Sequence, residues 1–184
     1  MKTFETMQIN EFITVDEQQQ MKSIAVNYLQ QGILEANPRG PGRYRARIWN
    51  TELCTDLISS IGERIIEQFR LEDCPVDHQL GWIISLLQPG AQIQPHIDKY
   101  PYHEQLNAKH LRCNIMISKD NISGNPVING NVIDVAERAL WGFFPSEQVH
   151  CTQVIATTEP RIVYQFGFVV PNSYKLKEQY RRTA

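Results

Sequence analysis

Apolar residues recur at helical spacing in two stretches of the N-terminal part of the chain. The first runs over residues 16–34, with Thr14 and Asp16 as possible N-terminal caps and Gly32 loosening its end. The second runs over residues 51–70 as one continuous stripe. The apolar positions of the two stretches are Met21, Ile24, Ala25, Tyr28 and Leu29, then Leu53, Leu57, Ile58, Ile61, Ile65 and Phe69. We predict two amphipathic helices whose apolar faces pack on a sheet.

The rest of the chain is rich in short strand patterns separated by turn residues such as those at Pro89-Gly90 and Asn129-Gly130. The predicted strands are 43–49, 82–87, 111–118, 126–135, 140–144, 152–156 and 161–170. Many short strands after two helices predict a mainly β fold, a double-sheet jelly roll of the cupin-like type with helices on one outer face. The polar tail from Pro171 is predicted to form a last helical turn or to fray.

Three arginines, Arg43, Arg45 and Arg47, alternate along the first predicted strand and therefore share one of its faces. One interpretation is a solvated edge strand whose charges prevent edge-to-edge pairing. The other is a role in substrate binding. The pattern favours the first interpretation and leaves the second open.

Composition restricts the class of protein. A chain of 184 residues that is 42% hydrophobic can bury one sizeable core, so we expect a single domain, with residues 1–75 as a helical part packed on a β core over residues 80–171. A formal charge of −2 with interspersed signs argues against nucleic-acid binding. No signal peptide and no run of 18 apolar residues is present, so we predict a cytoplasmic protein without a membrane partner. The four cysteines form no Cys-x-x-Cys pair, which argues against a zinc ribbon.

His96 and Asp98 flank a single residue, and side chains two positions apart in a strand point to the same side. His150 follows an apolar strand and a polar turn, so it is also expected at a strand end. Two imidazoles and one carboxylate can occupy one face of an octahedral ferrous ion and leave the opposite face open. We predict a metal site formed by these three residues. The other histidines, His78, His103 and His110, are predicted to be surface residues, with His103 near the mouth of the site.

Arg161 opens a strongly apolar strand. A buried guanidinium needs an anion, because an unpaired buried charge is costly. The anion is either an internal Asp or Glu, or an organic acid held by a bidentate clamp. The neighbouring metal triad favours the organic acid.

Three segments resemble a known family. Residues 85–96 are similar to its serine, Pro-Gly turn and Pro-His ligand segment, residues 111–114 to its Arg-x-His strand, and residues 143–161 to its distal ligand and cofactor arginine. The family is that of the iron(II)- and 2-oxoglutarate-dependent oxygenases, and within it the aspartyl/asparaginyl β-hydroxylases, which include small bacterial free-proline cis-hydroxylases. The resemblance covers residues 82–171, roughly half the chain, and does not extend to the first 80 residues.

The resemblance implies a double-stranded β-helix with His96, Asp98 and His150 on Fe(II). It also implies that Arg161, assisted by Ser85, binds the distal carboxylate of 2-oxoglutarate, that Asn114 lies near the other carboxylate in place of the family's histidine, and that Arg112 binds a substrate carboxylate. Retention of Asp98 implies hydroxylation, because related halogenases vacate that position. We further expect residues 100–104 to form a lid in which Tyr100 and Tyr102 contact the substrate.

The predicted function is hydroxylation of an aliphatic C–H bond of an amino acid, free or within a peptide, with Fe(II), 2-oxoglutarate and O2. The partner is therefore a small molecule or a peptide, and the sequence does not indicate an oligomeric state. One alternative is a non-catalytic cupin that binds a metal and a small acid as a sensor or carrier. A zinc hydrolase would share the His and Asp ligands but gives no reason for Arg161.

Overall fold

Ten strands form two antiparallel sheets in the computed structural model, which describes residues 6–38, 40–100 and 106–179. The larger sheet has seven strands in the order β1-β8-β5-β10-β4-β3-β2, and the smaller has three in the order β7-β6-β9. The strands are β1 (Thr6–Ile9), β2 (Glu35–Ala36), β3 (Arg43–Arg47), β4 (Trp82–Leu87), β5 (Ala108–Ser118), β6 (Pro126–Ile128), β7 (Asn131–Val132), β8 (Leu140–Phe143), β9 (His150–Thr152) and β10 (Arg161–Pro171). The helices are α1 (Val15–Gln30), α2 (Asp56–Phe69) and α3 (Leu176–Gln179).

Both predicted helices form, and local capping sets where they begin. At α1 the Thr14 side chain accepts from the backbone N–H of Glu17, while the Glu17 side chain accepts from the backbone N–H of Thr14. This reciprocal pair is a capping box. At α2 the cap is Thr55, so the helix begins five residues later than the apolar stripe predicted. Arg70 ends α2 in the left-handed conformation, with a φ of 52°.

One face of the seven-stranded sheet carries the main hydrophobic core. The stripes of α1 and α2 pack against alternate residues of β4, β5 and β10. The largest buried members on the sheet are Trp82, Tyr164, Phe166 and Phe168, and those on the helices include Met21, Ile58, Ile61, Ile65 and Phe69. The predicted packing of helices on one outer face is confirmed.

The opposite face of the same sheet carries polar and charged side chains and faces the three-stranded sheet. Pairing registers place Arg43 and Arg161 opposite the same residue, Leu87, and place Asn114 opposite both Gln165 and Trp141. Directly paired residues project to the same side of a sheet. Arginine and asparagine side chains therefore collect between the two sheets, where an ordinary sandwich would have an apolar core.

Most observed strands lie where they were predicted, with shifts of up to three residues at their ends, and larger differences occur at a few places. The predicted strand 126–135 is a hairpin, because Asn129 (φ 50°) and Gly130 (φ 79°) make a two-residue turn with positive φ at both positions. The strand predicted at 152–156 lies instead at His150–Thr152. Strands β1 and β2 were not predicted; each has only a few residues and owes its structure to pairing with distant strands. In the described residues, no helix combines the length and apolar character needed to cross a bilayer.

Gly62 allows α2 to approach the sheet closely. A Cβ at this position would lie 2.1 Å from Cη2 of Trp82, whose side chain is buried. We expect Gly62→Ala to destabilise the protein by about 1–3 kcal/mol, because overpacking outweighs the gain in helix propensity. Urea unfolding measures this, with Ser60→Ala on the exposed face of α2 as the matched control. An increase in stability for Gly62→Ala would contradict the close packing of α2 on Trp82.

Candidate metal centre

His96, Asp98 and His150 converge in space, with their ligand atoms all within 4.8 Å of one another. Nε2 of His96 lies 3.4 Å from Oδ1 of Asp98, and Nε2 of His150 lies 3.9 Å from Oδ2. Ligands about 2.1 Å from one octahedral ion are about 3 Å apart at neighbouring vertices. The three donors are therefore spaced to share a single cation.

Backbone hydrogen bonds position the ligands. The residues around His96 do not form the predicted strand; His96 makes a single antiparallel bridge to His150, with N···O distances of 3.1 and 2.9 Å. The backbone N–H of Asp98 donates to the carbonyl of Pro145 at 3.0 Å. The extended geometry still places His96 and Asp98 on one side, while the Ile97 side chain between them is 45% exposed.

Both imidazoles direct Nδ1 to a backbone carbonyl and Nε2 toward Asp98. Nδ1 of His96 lies 2.8 Å from the carbonyl oxygen of Gln94, and Nδ1 of His150 lies 3.0 Å from that of Gln148. A carbonyl only accepts, so each Nδ1 donates and Nε2 is the atom of each ring that can bind a cation. The Asp98 carboxylate raises the pKa of His96. Nε2 of His150 is buried and has no hydrogen-bond partner in the described protein, and burial lowers the pKa of this imidazole to about 4. His150 is thus neutral at neutral pH, as a metal ligand must be.

Arg112 and Tyr100 hold one oxygen of Asp98. Nη2 of Arg112 donates to Oδ2 at 2.5 Å, and the Tyr100 hydroxyl donates to the same oxygen at 2.9 Å. Burial alone would raise the pKa of Asp98, but Arg112 and the hydrogen bonds outweigh it and hold this pKa well below its usual range. Asp98 is therefore an ionised carboxylate with Oδ2 fixed and Oδ1 directed toward His96.

Two of the three residues predicted to bind substrate, Arg112 and Tyr100, thus contact a metal ligand. The hydrogen bonds to Asp98 and Tyr100 use Nη2 of Arg112. Binding of a substrate carboxylate by its other N–H groups stays a prediction. Tyr100 is buried and bonded to both Asp98 and Arg112, and its contact with substrate as part of a lid stays a prediction. Tyr102 and His103 lie outside the described residues.

Tyr100 packs against a buried pair formed by His110 and Asp77. Its ring stacks on His110, with centroids 4.7 Å apart and planes at 13°. Nδ1 of His110 lies 2.7 Å from Oδ2 of the fully buried Asp77. The prediction that His110 is a surface residue is wrong, because its strand, β5, lies in the interior; burial lowers the pKa of His110 to about 4. His78 is exposed, as predicted.

Arg161 is buried at the start of β10, with 3% of its surface exposed. Its Nε donates to the carbonyl of Gly124 at 2.6 Å. In the described parts of the chain no carboxylate lies within ion-pair distance of Arg161, so the internal ion pair considered above is not observed there. Burial, followed by the repulsion of Arg43, lowers the pKa of Arg161 to about 9, which leaves the guanidinium charged at neutral pH.

A small cavity of about 40 Å³, open to solvent, joins Arg161 to the two histidines. Its polar lining includes Arg43, Arg112, Asn114 and Gln165. Nδ2 of Asn114 is buried there without a hydrogen-bond partner. Ser85 is buried on β4, with its Oγ lacking a partner, and no hydrogen bond joins it to Arg161 in the described residues. The cavity can accept a cation at one end and an acid at the other.

Arg43 lines the cavity, although the sequence favoured a solvated edge strand for it and left substrate binding as the open alternative. The alternation of Arg43, Arg45 and Arg47 was the available signal. It indicates a shared face of the strand but not which strand pairs with β3 or whether that face borders a cavity. Pairing with β4 brings Arg43 over the cavity.

No sequence family and no curated protein matches the chain. Solved structures do match. A prolyl-4-hydroxylase from Pseudomonas putida has a TM-score of 0.68 at 13% identity, covering 92% of this chain and 94% of the other. A prolyl hydroxylase from Trichoplax adhaerens, in complex with a hypoxia inducible factor peptide fragment, has a TM-score of 0.69 at 16% identity, covering 94% and 86%. HygX from Streptomyces hygroscopicus, with nickel and 2-oxoglutarate bound, has a TM-score of 0.65 at 9% identity, covering 95% and 85%.

The chain has the double-stranded β-helix fold. Its structural neighbours are 2-oxoglutarate- and Fe(II)-dependent oxygenases, so the predicted fold class is confirmed. At identities of 9–16% the likeness concerns the fold. Function has to be argued from the site itself.

The hydrogen bond from Tyr100 to Asp98 is expected to contribute to metal affinity. Tyr100→Phe keeps the ring on His110 and removes one donor to Oδ2, so we expect Ni(II) affinity to fall about 10-fold, in the range seen for partners of metal ligands. Calorimetric titration with Ni(II) measures this. Tyr28→Phe, which removes a hydroxyl that donates to the carbonyl of Leu53 far from the site, is the control. Equal affinity in the Tyr100→Phe variant and the unaltered protein would remove Tyr100 from the support of the ligand set.

Proposed function

We propose that the protein is an Fe(II)- and 2-oxoglutarate-dependent dioxygenase that hydroxylates an aliphatic C–H bond of an amino acid, free or within a peptide. One observation carries the proposal: both histidines of a His-Asp-His cluster line one cavity with a buried arginine that has no acidic partner in the described residues. The triad suits a ferrous ion with open positions, and the arginine suits a dicarboxylic acid that reaches the ion.

His96, Asp98 and His150 would hold the iron. Arg112 and Tyr100 would hold Oδ2 of Asp98 by hydrogen bonds and leave Oδ1 for the metal. Arg161 would bind the distal carboxylate of 2-oxoglutarate, with Asn114 near the other carboxylate and Ser85 supporting the arginine. When bound, iron with 2-oxoglutarate and O2 supplies the oxidising chemistry that neither helix nor sheet side chains provide. The protein contributes orientation and exclusion of water, since apolar rings from Trp141 and Phe143 line the same cavity.

The structural neighbours support this assignment. HygX has nickel and 2-oxoglutarate bound, and the Trichoplax adhaerens enzyme is a prolyl hydroxylase in complex with a peptide fragment. The finer resemblance to aspartyl/asparaginyl β-hydroxylases rests on the sequence segments alone and is proposed on that basis. We also propose that the helical N-terminal part and the β core act as one oxygenase domain, because α1 and α2 share a core with β4 and β10.

Succinate release from 2-oxoglutarate, with Fe(II) in air and a panel of amino acids and short peptides, tests the proposal. We expect succinate release that depends on iron and that increases when one class of amino acid or peptide from the panel is added. Arg161→Gln should raise the KM for 2-oxoglutarate on the order of 100-fold, because a buried charge pair is removed. Arg138→Gln, which alters an exposed pair with Glu11, is the control.

Two results would contradict the proposal. Binding of metal and 2-oxoglutarate without any succinate release would indicate a sensor or carrier. Release that is unaffected by Arg161→Gln would remove this arginine from the cosubstrate site.

A further inference from the structure

Arg43 is a second guanidinium in the cavity whose charge the described protein does not neutralise. Its side chain is half-buried, and its Nε is fully buried without a hydrogen-bond partner. Among the side chains described for residues 6–38, 40–100 and 106–177, no carboxylate lies within ion-pair distance of it. A half-buried cation held in this way is costly unless an anion joins it.

The surroundings of Arg43 add to this cost. Burial, then the positive charges of Arg45 and Arg112, lower the pKa of Arg43 to about 10, so it remains cationic at neutral pH. Asp98 attracts it, but that carboxylate is already bonded to Arg112 and Tyr100. The electrostatic field around Arg43 therefore favours an incoming anion.

The position of Arg43 separates it from the cosubstrate arginine. Arg43 lines the inner cavity together with Arg161, and it also lines a wider outer cleft that Arg161 does not reach. That cleft of about 450 Å³, open to solvent, is bordered by Arg45, His96 and Asp98. A molecule in the outer cleft would thus contact two residues of the triad, His96 and Asp98, as well as Arg43.

We propose that Arg43, with Arg45 beside it, binds a carboxylate of the primary substrate, so that the substrate is an acid. This inference rests on the proposed function. Of the three arginines in the inner cavity, Arg161 serves the cosubstrate in that proposal and the charge of Arg112 is neutralised by Asp98, so Arg43 is the arginine whose charge is available to a substrate carboxylate. A free amino acid or the C-terminal residue of a peptide then fits better than a neutral internal residue. The planar guanidinium matches a carboxylate in bidentate geometry.

Matched ligands test the assignment by binding alone. The protein is loaded with Ni(II) and 2-oxoglutarate without oxygen, and a panel of free amino acids is titrated by calorimetry alongside the corresponding amino-acid amides. We expect the unaltered protein to bind at least one acid 10-fold or more tightly than its amide. Arg43→Gln should abolish that preference while 2-oxoglutarate affinity stays within about twofold, and Arg43→Lys should retain part of it.

Arg47→Gln is the matched control, because Arg47 lies on the same strand but donates to the carbonyl of His78 and lines neither cavity. It should keep the full preference for acids. Thermal unfolding of each variant confirms that it folds.

The outcomes separate this inference from the proposed function. Failure of the unaltered protein to bind 2-oxoglutarate would overturn both. If 2-oxoglutarate binds, no acid preference in the unaltered protein, or a preference that survives Arg43→Gln, would overturn the role of Arg43 alone. Loss of 2-oxoglutarate affinity in Arg43→Gln would assign this arginine to the cosubstrate instead. Inorganic phosphate bound through Arg43 more tightly than any carboxylate would contradict the substrate class.

Discussion

The pair of backbone hydrogen bonds between His96 and His150 is the constraint on which the candidate centre depends. It joins the segment after β4 to the start of β9 and sets two imidazole rings 4.2 Å apart. Further hydrogen bonds upstream, from Thr152 to Ile93 and from Ile155 to Ala91, extend the same alignment. Asp98 follows His96 by two residues of extended chain, which places its carboxylate beside the two imidazoles. Without this bridge His150 would lie on a segment separate from that of His96 and Asp98.

The seven-stranded sheet has two unlike faces, and this division explains how a small protein can bury charged side chains at a site and still remain folded. The face toward α1 and α2 is apolar and supplies the main core. The face toward β6 and β9 carries Arg43, Arg112 and Arg161, which are costly to bury and are unusual between two sheets. Arg112 is neutralised by Asp98, whereas in the described residues the other two have no acid, which is consistent with a cavity that binds acidic ligands.

Local sequence determined more of the helices and ligands than of their surroundings. Thr14 and Glu17 fix the start of α1 within a few residues, and the two-residue spacing of His96 and Asp98 sets their common side even though no strand forms there. The burial of His110 depends on Asp77, which is 33 positions away, and Arg43 faces the cavity because β3 pairs with β4. Such non-local contacts leave no periodic pattern in a single sequence. The hydrogen bonds that hold Asp98 and the place of Arg43 in the cavity could therefore not be predicted.

The most direct test of the centre is a crystal structure of the protein grown without oxygen in Mn(II) and 2-oxoglutarate. The account predicts the metal at about 2.0–2.3 Å from Nε2 of both histidines and from one oxygen of Asp98. It also predicts the distal carboxylate of 2-oxoglutarate on the Arg161 guanidinium. A metal bound elsewhere, or an acid placed away from Arg161, would contradict it.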